Sequence, residues 1–74
     1  MDIGWAVDVM RNGQAVRRRY WAELRHIPDE YAQLRIEKPG EGWDEGFVVT
    51  TNNGMRRTYN PSHRQLLATD WELA

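Results

Sequence analysis

Cysteine is absent from this 74-residue sequence, which excludes disulfides, thiolate catalysis and cysteine-based zinc sites. Histidine is scarce as well, because His26 and His63 are the only two and they lack the spacing of metal ligands. A domain of this size buries only about 60% of its unfolded surface, so small folds without such crosslinks usually gain stability from a partner subunit. We therefore expect a single domain over residues 1–74 that binds no metal and forms a homo-oligomer.

Neither sign of charge dominates, since ten Lys and Arg against eleven Asp and Glu give a net charge of −1. A protein that binds duplex nucleic acid normally carries a clear basic excess, so nucleic acid is not an expected partner. No apolar run approaches the roughly 18 residues of a membrane span, and the N-terminus lacks the apolar core of a signal peptide. We therefore expect no membrane partner and a cytoplasmic location.

Groupings of reactive side chains are also missing. The glycines between residues 40 and 46 fit no P-loop or dinucleotide fingerprint, and neither histidine has a neighbouring nucleophile at a familiar spacing. The carboxylates Glu23, Asp29 and Glu30 cluster around a turn, where a solvated surface is expected. The sequence therefore predicts a protein that is not an enzyme and that needs no cofactor.

An amphipathic pattern with a period of 3.6 residues predicts a helix over residues 3–12. Asp2 can cap its start, and Gly13 can adopt the left-handed conformation that often follows a helix. Trp5 and Val9 lie on a flanking face, where they either widen the core stripe or are covered by another subunit. The apolar stripe itself consists of Ile3, Ala6, Val7 and Met10.

Alternation with a period of two predicts a strand over residues 14–21. It places Arg17 and Trp21 on one face and Arg18 on the opposite face. A charge held on a mostly buried face requires a counter-ion. The partner of Arg18 is therefore either a protein carboxylate, for which Asp70 is the expected candidate, or the phosphate of a ligand.

Residues 31–37 alternate cleanly and predict a second strand, which Pro39 and Gly40 should end. Two further strands flank Asn53-Gly54, a pair typical of a two-residue hairpin turn. That turn would pair Thr50 with Arg57 and Val48 with Tyr59.

Two start signals, Pro61 and Ser62, predict a short helix that continues to about Thr69. Residues 70–73 should form the last strand, with Trp71 in the core. The predicted fold class is therefore α+β, with an N-terminal helix, a mostly antiparallel twisted sheet of about four or five strands, and a short second helix before the last strand.

Arginines lie beside aromatic residues at two places, residues 17–21 and residues 56–59. Guanidinium groups bind phosphate bidentately and aromatic faces stack on nucleobases, so this combination suits a small phosphorylated nucleotide. The alternative interpretation is a surface with scattered arginines above aromatic residues that belong to the core.

Two motifs resemble a known family. Val16-Arg17-Arg18-x-x-Trp21 and Leu66-Leu67-Ala68-x-Asp70-Trp71-Glu72 are similar to segments of the small phage proteins of the Thoeris anti-defence type, the second type of nucleotide-sequestering sponge. An Asn-Gly hairpin, an aromatic residue at Tyr59 and a serine at Ser62 lie between them, as in that family. The resemblance covers residues 1–21 and 47–74.

The resemblance implies a homodimer or a dimer of dimers that binds a cyclic nucleotide messenger between subunits and holds it without cleavage, in the host cell cytoplasm. The ligand would be of the cyclic ADP-ribose type or a cyclic dinucleotide. Arg17 or Arg18 would hold phosphate. Trp21 and Tyr59 would stack against the base or form a wall of its pocket, and Ser62 would donate a hydrogen bond to the ligand from the start of a helix. The alternative is a protein-binding inhibitor of a host defence enzyme, which would use Trp5, Trp43 and arginines.

Overall fold

The computed structural model describes residues 1–38 and 40–74, which form one antiparallel sheet, a helix before its first strand and two short helices between strands. In chain order the elements are α1 (Ile3–Arg11), β1 (Val16–Arg18), α2 (Arg19–Glu23), β2 (Tyr31–Glu37), β3 (Gly46–Thr51), β4 (Arg56–Thr58), α3 (His63–Leu66) and β5 (Trp71–Leu73). The strand order across the sheet is β4-β3-β2-β1-β5. The α+β fold with an N-terminal helix and a short helix before the last strand is thus confirmed.

Helix α1 begins and ends where the sequence predicts, to within one residue. The Asp2 carboxylate accepts a hydrogen bond of 2.9 Å from the Trp5 backbone N–H. Gly13 follows the helix with φ of 85°, in the left-handed region that favours glycine. Trp5 and Val9 are half-buried and pack against the core, so they widen the apolar stripe of the helix.

The core lies between α1 and one face of the sheet. Val16, Leu34 and Val49 are direct neighbours across β1, β2 and β3, and each is at most 1% exposed. Ala6 and Met10 reach this row from the helix. The buried residues of the cluster are Ala6, Met10, Val16, Trp21, Leu34, Val49 and Trp71, which confirms the core position predicted for Trp71.

The first strand is shorter than predicted, because the chain leaves the sheet after Arg18 and Arg19 begins α2. Strand β1 pairs with β5 over three residues only, and its next N–H, that of Arg19, donates to the Asp70 carbonyl at 3.0 Å. The turn into α2 brings Trp21 into the core cluster with Val16. Alternation along a longer strand predicts instead that Trp21 lies on the face opposite Val16. Burial of a large indole favours this departure from the strand.

Strand β2 covers the predicted residues, but its pairing with β3 shifts near its start. Tyr31 pairs with Thr51 and Gln33 with Thr50, so one extra residue stands in β2 between them. Such a bulge reverses the alternation locally. Tyr31 therefore packs against the core, whereas strict alternation would place it on the face of Gln33. Pro39, expected to end this strand, lies outside the described residues.

The hairpin turn contains three residues, so the predicted register is wrong by one. The Thr51 N–H donates to the Met55 carbonyl at 2.8 Å, and Thr50 pairs with Arg56 instead of Arg57. Gly54 has φ of 87°, but Asn53 does not adopt the positive φ that a two-residue type I′ turn requires at both positions. Because β4 ends at Thr58, Tyr59 follows the strand.

Helix α3 is also shorter than predicted. Ser62 is its N-cap and Leu66 its last residue, so the signal at Ser62 marks the start and the helix does not continue to Thr69. The Trp71 indole N–H donates to the Gln65 carbonyl at 3.2 Å, which ties the end of the helix to the core. Within residues 1–38 and 40–74, no helix is long and apolar enough to cross a membrane.

Candidate functional site

A cleft of about 360 Å³ opens where α2, the start of β2 and α3 meet; we call it the ring cleft. Another cleft, of about 260 Å³, is lined by one guanidinium group, that of Arg11, and one aromatic ring, that of Phe47. The ring cleft is therefore the candidate site. It is lined by Arg18, Tyr20, Trp21, Glu30, Tyr31, Arg64 and Gln65.

Arg18, which lines the ring cleft, forms an ion pair with Asp70. The Arg18 Nε lies 2.5 Å from Asp70 Oδ1, and the two side chains are 15% and 32% exposed. Burial opposes ionisation of Asp70, but the hydrogen bonds from Arg18 and from the Tyr20 backbone N–H outweigh it and lower the pKa of this carboxyl. The pairing of Arg18 with Asp70 that the sequence suggests is thus present, and Asp70 offsets the charge of Arg18.

Four aromatic rings pack edge-to-face behind the ring cleft. Trp21 lies 5.4 Å from Tyr31, 6.2 Å from Tyr59 and 5.5 Å from Trp71, measured between ring centroids. Trp21 is only 3% exposed, so it forms the floor of the cleft and offers no open face to a base. Tyr20, which is 53% exposed, is the lining ring with the most open surface.

Tyr59 is half-buried in this ring cluster, 5.3 Å from Tyr31. Burial raises the pKa of Tyr59 to about 12, and Tyr31 adds to the shift while the charge of Arg18 opposes it. The phenol therefore stays protonated because its anion would lose hydration inside the cluster.

We expect Tyr59 to remain largely protonated at pH 11, with about 10% ionised compared with about 90% for an ordinary phenol of pKa 10. Tyrosine ring-carbon NMR shifts, assigned with Tyr59→Phe, measure this fraction. Because the folded pKa lies above the unfolded one, the contribution of Tyr59 to stability is full below pH 10 and is lost as the pH rises to about 12. A midpoint near pH 10 in the folded protein would contradict the burial of Tyr59.

The sequence-predicted site residues divide between the ring cleft and other places. Arg18 and Trp21 line the cleft, and Tyr59 packs against Trp21 behind it. Arg17 points away from the cleft, where its Nε and Nη2 each lie 2.9 Å from Glu72 Oε2. Ser62 is exposed at the start of α3 and does not line the cleft, although its hydroxyl bonds to the side chain of the lining residue Gln65.

Several lining residues did not follow from the sequence. The sequence predicts Glu30 to be a solvated carboxylate, but it is half-buried at the cleft. Tyr31 reaches the cleft only because of the bulge in β2. Arg64 comes from α3, whose position relative to α2 depends on the packing of the whole chain. Tyr20 could have been found from the sequence, because it directly follows the run of three arginines and an aromatic ring beside arginines suits a nucleotide site.

The fold and the ring cleft define a small α+β domain with a half-open cleft in which guanidinium groups and aromatic rings meet. The family model described as the Thoeris anti-defense 2-like (Tad2-like) domain matches residues 1–74. The chain therefore belongs to the Thoeris anti-defense 2-like family, as its motifs suggested, and this membership supports a role in Thoeris anti-defence. A comparison with curated proteins found no match.

Proposed function

We propose that this protein is a phage anti-defence protein that binds a cyclic nucleotide immune messenger and sequesters it without cleaving it. The messenger would be of the cyclic ADP-ribose type or a cyclic dinucleotide, and it would be removed in the host cytoplasm before it activates a defence effector. Family membership supports the anti-defence role. The chemistry of the ring cleft supports a small phosphorylated ligand.

The observation that carries the proposal is the meeting of arginines and tyrosines in one cleft. Arg64 and Arg18 contribute guanidinium groups, and Tyr20 and Tyr31 contribute rings beside them. Because Asp70 offsets Arg18, we assign the main phosphate contact to Arg64. Tyr20 would stack on a base, and Glu30 would accept hydrogen bonds from ribose hydroxyls or from a base amino group.

Binding without cleavage fits the composition of this cleft. Hydrolysis of a glycosidic or phosphodiester bond generally uses two positioned groups, one acid and one base, or a metal-activated water. Glu30 is the one carboxylate among the described residues that line the ring cleft. A site of this composition can hold a nucleotide but offers little for acid–base chemistry.

We further propose that the functional unit is a homodimer or a tetramer. Leu66 and Leu67, which follow the cleft residues Arg64 and Gln65, are 40% and 80% exposed. Exposed apolar surface next to a binding cleft is typical of a subunit interface. A second copy placed there would deepen a cleft that one chain leaves half open.

A protein-binding inhibitor of a host defence enzyme is the second candidate, and exposed Trp43 favours it. This indole is 64% exposed in an acidic loop, and large exposed aromatic residues are common anchors of protein interfaces. Trp5, the other tryptophan considered for this role, packs partly against the core.

Sequestration predicts that the purified protein depletes a cyclic nucleotide from solution and returns it intact. We expect ultrafiltration after mixing with cyclic ADP-ribose or a cyclic dinucleotide to show loss of free ligand, and heating to restore it unchanged by mass spectrometry. Recovery of a linear or hydrolysed product would mean an enzyme. Native mass spectrometry of protein isolated from bacterial lysate separates the two candidates, since a stoichiometric host protein instead of a nucleotide would favour the inhibitor.

A further inference from the structure

The tip of the β3–β4 hairpin is hydrogen-bonded to residues 24–30. The Asn52 side-chain amide donates to the Leu24 carbonyl at 3.0 Å and to the Ile27 carbonyl at 2.7 Å. The Asn52 backbone N–H donates to the Glu30 carbonyl at 2.8 Å, and the Asn53 N–H donates to the Pro28 carbonyl at 3.1 Å. Two hairpin residues therefore fix four carbonyl groups of one segment.

This segment contains turns but no helix or strand, so the contacts with the hairpin add to its few internal backbone bonds in holding its shape. It also joins two walls of the ring cleft. Leu24 is the C-cap of α2, the helix that carries Tyr20, and Glu30 and Tyr31 stand at the other end of the segment. The bonds of Asn52 thus span both ends of the connection between the walls.

We propose that Asn52 is a positioning residue of the ring cleft, which it shapes by holding residues 24–30 while touching no ligand itself. This inference rests on the proposed function only for its effect on ligand affinity. The side chain of Asn52 supplies two donors at the distance and direction that the two carbonyls require, and these bonds are part-buried. Asn52 is not among the residues that line the cleft.

Removing the Asn52 amide takes one donor from each of the Leu24 and Ile27 carbonyls, which keep their backbone bonds within the segment, and loosens the attachment of the segment to the hairpin. Glu30 and Tyr31 then sample more positions, and a ligand must order them when it binds. Tyr59 is affected as well, because Tyr31 covers its ring at 5.3 Å and contributes to its raised pKa. The ionisation of Tyr59 therefore reports on the cleft in the absence of any ligand.

The test compares Asn52→Ala with Asn53→Ala. Asn53 is a matched control, since its side-chain oxygen bonds to the Thr51 hydroxyl within the hairpin and not to residues 24–30. In the folded proteins at pH 11, we expect the ionised fraction of Tyr59 to rise clearly above the wild-type value in Asn52→Ala and to stay near it in Asn53→Ala. With cyclic ADP-ribose and a cyclic dinucleotide as probes, we expect Asn52→Ala to weaken binding by about tenfold or more, mainly through faster dissociation.

The outcomes separate this inference from the proposed function. If neither probe binds the wild-type protein, the proposed function fails for these ligands, and the titration of Tyr59 still decides the role of Asn52. An unchanged titration in Asn52→Ala overturns the inference, even if that variant melts at a lower temperature. If Asn52→Ala does not fold, hydrogen exchange of backbone amides in the wild-type protein tests the inference instead. The Asn52 backbone N–H, which donates to the Glu30 carbonyl, should then exchange as slowly as the Tyr59 N–H, which donates to the Phe47 carbonyl, and fast exchange overturns the inference.

Discussion

Replacement of Arg18 by alanine should lower the melting temperature by roughly 10–20 °C, which corresponds to a loss of about 2–3 kcal/mol in a domain of this size. The variant leaves the Asp70 carboxylate without its charged partner, and an unpaired, partly buried charge is strongly destabilising. Because Asp70 is 32% exposed, water compensates in part, and we place the loss below the 3–5 kcal/mol typical of a fully buried pair. Thermal unfolding followed by circular dichroism measures it.

Arg17→Ala is the matched control for this prediction. Arg17 pairs with Glu72, but both side chains are about one third exposed and lie outside the ring cleft. Exposed pairs contribute about 0–1 kcal/mol, so Arg17→Ala should change both stability and ligand affinity only slightly. Equal effects of the two variants on stability would show that Arg18 has no special structural role.

The dependence of protein stability on pH provides a further test of the ion pair between Arg18 and Asp70. Because the folded pKa of Asp70 lies below its unfolded value, the pair contributes fully above about pH 4, and its contribution is lost as the pH falls through the lower, folded pKa. The wild-type protein should therefore lose stability in that acidic range. Arg18→Ala should lose less there, since it lacks most of the interaction that lowers the pKa of Asp70.

Features with local causes could be predicted from the sequence. The start of α1 follows from Asp2, whose carboxylate bonds to the backbone three residues later, and its end follows from Gly13. Alternation gave the bounds of β2 and placed Arg17 and Arg18 on opposite faces. The pairing of Arg18 with Asp70 was also accessible, because a charge on a buried face needs a counter-charge.

Features that depend on packing between distant segments could not be predicted. The ring cleft is built from residues near positions 20, 30 and 65, which no pattern along the chain connects. Trp21 breaks the alternation of β1 because burial of its indole outweighs continued strand pairing. In the observed three-residue turn the Asn52 and Asn53 N–H groups bond to residues 24–30, a contact that the local Asn-Gly signal does not contain.

Truncation of the two neighbouring rings of α2 should affect different properties, stability for Trp21 and ligand affinity for Tyr20. Trp21 is 3% exposed and contacts three other rings, so Trp21→Ala should lose about 3–5 kcal/mol of stability. A domain of 74 residues has a total stability of about 4–11 kcal/mol, so this variant should lose between about a quarter of that stability and all of it. Urea denaturation followed by circular dichroism measures the loss.

Tyr20→Ala should instead leave the stability within about 0.5 kcal/mol of wild type, because the ring is 53% exposed. If Tyr20 stacks on the base, its removal takes away about 1–3 kcal/mol of binding, which weakens the affinity for a cyclic nucleotide roughly 5- to 150-fold. Tyr20→Phe retains the aromatic face and should bind nearly as well as wild type. If Tyr20→Ala retains full affinity while Arg64→Ala loses it, the base does not stack on Tyr20, and Tyr31 becomes the remaining ring of the cleft wall that can contact it.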